Sequence, residues 1–120
     1  MVHILNVIAA LLTIGFGLFG FLAPLHTATA LDLAPTNSNM GLSEMRASVG
    51  GLFVVTGIAV IWLNHPMAYA MLGVAYAGAA LGRFVSVLLD NPPLAKAMIF
   101  GGIELILAVW LIAANLNRTP

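Results

Sequence analysis

Four apolar runs of about twenty residues, each closed by proline or asparagine, leave this chain few folds to choose from. They cover residues 2–22, 44–63, 67–89 and 94–114, and the punctuation is Ala23-Pro24, Asn64-His65-Pro66, Asp90-Asn91-Pro92-Pro93 and a polar tail from Asn115. At about 1.5 Å per residue, a helix of that length matches the roughly 30 Å hydrocarbon core of a bilayer. Spanning strands need about half as many residues and alternate in polarity, which these runs do not. Composition excludes a buried soluble core: 62% of the 120 residues are hydrophobic and only 7% are charged. A soluble domain carries roughly 25% charged residues to hydrate its surface. The expectation is an all-α, four-helix transmembrane bundle of up-down topology. It forms one membrane domain over residues 1–120, in the cell membrane as a multi-pass protein with the lipid bilayer as its main partner.

The first run is longer than the roughly 7–15 apolar residues of a signal peptide, and no Lys or Arg precedes it. It is therefore expected to stay as a helix although Ala28-Thr29-Ala30 resembles a cleavage site. Short connections after the second and third runs force antiparallel neighbours. The long polar segment 24–43 is either a short amphipathic turn on the membrane surface or a cap over the bundle. Ser43 followed by Glu44 has the form of an N-cap with an acid in the first helical turn.

Up-down topology puts both termini on one side and the segment 24–43 and the Asp90 turn on the other. Trp62, Tyr69 and Trp110 fall toward the terminal side, as an interfacial aromatic belt would. Positive charge does not decide orientation, with Arg118 on the terminal side and Arg46 and Lys96 opposite. Discounting the last two as parts of an internal site leaves the termini cytoplasmic.

Lipid tails give helices little hydrophobic reason to associate, so small residues mark their contacts. The first helix carries Asn6, Ala10, Thr13, Gly17 and Gly20 in one stripe, and the second has Gly50, Gly51 and Gly57. The last aligns Ala97, Gly101, Glu104 and Ala108. Gly78 and Gly82 have GxxxG spacing, read first as packing within the bundle and alternatively as a homo-oligomer contact.

The few charges are gathered in the half of the membrane away from the termini. Glu44 and Arg46 open the second run, Arg83 lies about two turns inside the third, and Glu104 is near the middle of the fourth. A charge near the bilayer centre costs about 2.5–3.5 kcal/mol, so Arg83 and Glu104 are expected to face inward as a pair, extended by Glu44 and Arg46. One reading is a buried ion pair that sets helix register. The other is a polar pocket in which Arg83 or Arg46 holds an oxygen-rich group and Glu104 accepts a proton. A net charge of zero gives no basic patch for nucleic acid. With no cysteine there is no thiolate ligand or thiol nucleophile. His3 and His65 fall on the side opposite to His26, so no metal site is expected, and no nucleotide, hydrolase or metalloprotease motif calls for a cofactor.

The run Ser43-Glu44-Met45-Arg46-Ala47-Ser48-Val49-Gly50-Gly51 resembles the S-E-x-R-A-x-x-G-G signature of a bacterial membrane family known as domain of unknown function 4345. Gly82-Arg83 ahead of the Asp90–Pro93 turn, and Glu104 in the last helix, extend the resemblance over nearly the whole chain. It implies a four-helix membrane protein and no established activity or cofactor, and it points to the same Glu44, Arg46, Arg83 and Glu104. By architecture alone the chain is also similar to four-helix DoxX-like membrane proteins. The preferred expectation is a non-catalytic protein that binds a lipid, quinone-like or other small amphipathic ligand through these four residues, or an accessory subunit. Against it stand a compact membrane isomerase or hydrolase with Glu104 as general base and Arg83 or Arg46 as electrophilic stabiliser, and a structural or oligomer-forming protein.

Overall fold

The computed structural model describes residues 1–119 and is helical, with no strand among them. Four of its helical spans are long and apolar enough to cross a membrane: Val2–Leu22, Met40–Leu63, Pro66–Leu89 and Leu94–Asn115. We label the elements α1 (Val2–Leu22), α2 (Pro24–Ala30), α3 (Met40–Glu44), α4 (Leu52–Leu63), α5 (Pro66–Leu89) and α6 (Leu94–Asn115). A π-helical turn, Met45–Gly51, joins α3 to α4 without a break.

The breaks follow from local chemistry. Proline disfavours a helical conformation in the residue before it, and Ala23 accordingly leaves the helix with φ −132° and ψ 64°. Pro24 then opens α2 from within the polar segment, its fixed φ suiting a first helical position. The segment 24–43 is thus partly helical. Asn64 turns the chain at φ 47°, and extended His65 caps α5 by accepting the Met67 amide on Nδ1 at 3.1 Å. Asn91, at φ 50°, makes the equivalent reversal before Pro92-Pro93. Asparagine tolerates these left-handed positions better than most residues because its short polar side chain can hydrogen-bond to nearby backbone.

The expected Ser43 N-cap is corrected. The second span begins earlier, at Met40, and Ser43 lies inside it with its amide bonded to Asn39 O at 3.1 Å. Ser38 supplies the hydroxyl that receives the Met40 amide, also at 3.1 Å. The apolar run begins at Glu44, and a further helical turn precedes that point.

The chain divides into two compact units, one built on His3–Leu63 and the other on the chain from Asn64. In the first, every residue of the α1 stripe is buried: Asn6, Ala10, Thr13, Gly17 and Gly20. A methyl group on Gly17 would lie 2.7 Å from Val54 N, one on Gly50 2.6 Å from Phe21 N, and one on Gly57 3.0 Å from Ala10 O. These pairings run in opposite directions along the chain, so α1 and the second span are antiparallel with their backbones in direct contact.

The second unit is the antiparallel pair of α5 and α6. A methyl on Gly73 would lie 2.8 Å from Leu111 Cβ, and one on Gly101 3.1 Å from Arg83 Cγ. The close-packing glycine of α5 is therefore Gly73. A methyl group on Gly78 or Gly82 would meet nothing within 4 Å, so neither glycine is a close contact between α5 and α6. The outward surfaces carry large apolar side chains, among them Leu11, Phe19, Leu81 and Ile106, each more than half exposed. In water such surfaces would aggregate; in a bilayer they are the natural exterior.

Candidate functional site

Arg83 lies on α5 six residues before Leu89, roughly 9 Å inside that end by helical rise. Glu104 lies on α6 ten residues past Leu94, roughly 15 Å from the corresponding end. The expected pair forms, and it forms as a fork: Arg83 Nε donates to Glu104 Oε1 and Nη2 to Oε2, both at 3.1 Å. A planar guanidinium suits this geometry, and two parallel charge-assisted bonds fix orientation as well as distance.

The neighbours of the pair explain how the arginine is held. Its stem rests against α6 where Gly101 presents only a hydrogen, since Gly101 is the position at which an added Cβ would crowd Arg83 Cγ. The guanidinium carbon stands 5.4 Å from the centre of the Phe100 ring, a cation–π distance. Phe100 and Gly101 each lie one helical turn before Glu104, at spacings of four and three residues, and so flank it on α6. The sequence reading used Gly101 and Glu104 but missed Phe100, although an aromatic one turn from a carboxylate is the signal that marks it. The side chains of Arg83 and Glu104 remain 35% and 17% exposed, so the pair is not sealed in a dry core.

Glu44 and Arg46 belong to the other unit, where each has local work. Arg46 Nη1 donates to Phe21 O at 2.6 Å, satisfying a carbonyl at the end of α1 that has no partner within its own helix. Ser48 Oγ donates to the Glu44 carboxylate one turn away. Within the same signature, Gly50 sits against the α1 backbone and the Leu52 amide reaches back five residues to Ala47 O, the bond of a π-turn. Each of these groups serves the fold of the first hairpin. Lys96 is exposed near the start of α6.

The aromatic belt needs correction. Trp62 is 81% exposed, as a belt residue should be, but Tyr69 is only 2% exposed. The Tyr69 hydroxyl and Trp110 Nε1 are both shielded, without a hydrogen-bond partner among the described residues. Tyr69 is one turn before Gly73, so it shares the packed face of α5; a position near a helix end does not say which way a ring points.

A shallow groove of about 330 Å³ runs along α1 between Leu11, Leu12, Phe16 and Phe19. Its lining is apolar and comes from a single helix, so nothing in it orients a polar group. Among the described residues, Arg83 and Glu104 form the ion pair that joins two of the long helices, with Phe100 beside it.

The model of a family described as a domain of unknown function (DUF4345) matches residues 1–115. No curated protein and no solved structure matches the chain.

Proposed function

The chain belongs to the DUF4345 family, and from that premise we propose that it is a non-catalytic, multi-pass membrane protein that binds a small amphipathic ligand at Arg83 and Glu104. The observation that carries this reading is the incomplete closure of the fork. A buried pair that serves only to set register needs its remaining donors satisfied within the protein, whereas Arg83 keeps about a third of its side chain open. An amphipathic molecule in the bilayer can bring an oxygen to that opening and leave its chain among the lipid tails.

The geometry favours binding over base catalysis. Both carboxylate oxygens of Glu104 already accept from Arg83, so only the lone pair that each oxygen keeps outside the fork is left for a substrate proton. Glu44 and Arg46 join the proposal in a supporting part, through the hairpin that the Arg46 bond to Phe21 O ties across. The test is native mass spectrometry of the protein extracted gently from its own membrane. A retained amphipathic molecule is expected on the wild type and not on the double variant Arg83→Gln, Glu104→Gln. Its equal retention on both would remove the site.

A second reading rests on Gly78 and Gly82. Their open GxxxG face supports a homo-oligomer contact, since small residues let transmembrane backbones approach closely. Cross-linking in membranes is expected to lose its dimer band in Gly82→Leu; a band of unchanged strength would exclude that face.

A further inference from the structure

The fork leaves a specific set of donors unused, and resting on the ligand-binding reading above, we infer that Arg83 Nη1 receives the neutral carbonyl oxygen of an amphipathic ester or ketone. Glu104 engages Nε and Nη2, and Nη1 stands outside the fork on the partly exposed side chain. Its N–H groups are donors only, so the ligand atom they meet is an acceptor.

Charge decides which kind of acceptor. Arg83 and Glu104 together carry no net charge, and the fork consumes the attraction the guanidinium would otherwise offer an anion. A bound phosphate or carboxylate would leave a net negative cluster inside the hydrocarbon region, where uncompensated charge costs several kcal/mol. A carbonyl oxygen brings a lone pair without that penalty.

Depth supports the same chemistry. An arginine near a helix end ordinarily extends outward to the headgroups. Here the stem passes Gly101 and the guanidinium ends on Glu104, three residues further from the Leu94 end of α6. The side chain is thus drawn roughly 4–5 Å toward the middle of the membrane by helical rise, away from headgroup phosphates. Phe100 covers part of the guanidinium and offers an apolar wall for the adjoining chain. The ligand that fits has a neutral oxygen set among hydrocarbon. Its source is either an acyl ester of a bilayer lipid or a separate long-chain ester or ketone.

The test uses the full chain in nanodiscs of diether phospholipid, which has no carbonyl. Methyl palmitate labelled with carbon-13 at its carbonyl is titrated in and followed by the infrared stretch of the label. A saturable, low-frequency carbonyl band is expected with wild type, and hexadecanesulfonate, which stays anionic, should bind at least about tenfold more weakly. Replacing the diether lipid by carbonyl-labelled diester lipid distinguishes the sources. A shifted band on the lipid assigns the site to bilayer esters, and a band confined to added methyl palmitate assigns it to a separate molecule. Equal or tighter sulfonate binding would overturn the neutral-carbonyl inference while leaving a ligand site at Arg83. Binding of neither probe would overturn the inference and the proposed function together. In Arg83→Gln, Glu104→Gln, which leaves no orphaned charge, the band should vanish at unchanged helical content, and its persistence would also overturn the inference. The ester-to-sulfonate comparison in wild type stands even if that variant does not fold.

Discussion

The two hairpins solve the same problem, holding together helices apolar enough to cross a membrane, by opposite means. The α1–α4 hairpin does it with backbone against backbone: Gly17, Gly50 and Gly57 leave no room for a methyl group, and its charged residues stay exposed and serve nearby groups. The α5–α6 hairpin has comparable closeness at Gly73 but spends another contact on Arg83 and Glu104 within the span. Without a hydrophobic force between helices, either close packing or polar bonds can hold a pair. Packing needs no polar group at all, so the hairpin that carries an ion pair as well is where a function beyond association is to be sought.

Substitutions in each of the two hairpins put this contrast to the test. Gly50→Leu should have the largest effect, about 3 kcal/mol of destabilisation, because the new side chain meets the Phe21 and Gly20 backbone, which cannot move aside. Reversible unfolding in bicelles measures it, and a loss below that of Gly82→Leu in the monomer would contradict the packing argument. Next comes Glu104→Ala, expected to cost about 2 kcal/mol, less than for a fully buried pair because Arg83 is partly open. Adding Arg83→Gln should recover part of that loss. A double-mutant cycle with no coupling would show that the fork does not stabilise the second hairpin.

Arg46→Met should cost about 1 kcal/mol, the worth of one partly exposed bond to Phe21 O, and should leave ligand retention unchanged. A loss of retained ligand in that variant would extend the site into the first hairpin. The smallest change has the opposite sign. Gly82→Ala should stabilise the monomer by up to about 1 kcal/mol, since the methyl group meets open space and alanine is the better helix former. Destabilisation there would mean that the glycine face is occupied.

Much of this could be read directly from the chain. Apolar runs of bilayer length dictate spanning helices because every backbone group in lipid must be bonded within its own segment, and proline and asparagine mark where they end. The α1 stripe was equally legible, since residues three and four apart lie on one face and small size is what close approach requires. The pairing of Arg83 with Glu104 followed from the cost of leaving either charge alone. Other features had no local signal. That Gly73 packs while Gly78 and Gly82 face outward depends on how α6 lies along α5, and spacing within one helix cannot express it. Tyr69 turned inward for the same reason. Glu44 and Arg46 read as ligand-binding residues from their charge; Glu44 accepts from Ser48 one helical turn on, whereas the partner of Arg46 is a carbonyl twenty-five residues away that no local spacing indicates. Periodicity and solvation determined which segments span and which charges needed partners. Which groups became those partners, and which donors of Arg83 were left over, was decided only when two helices met at a particular register.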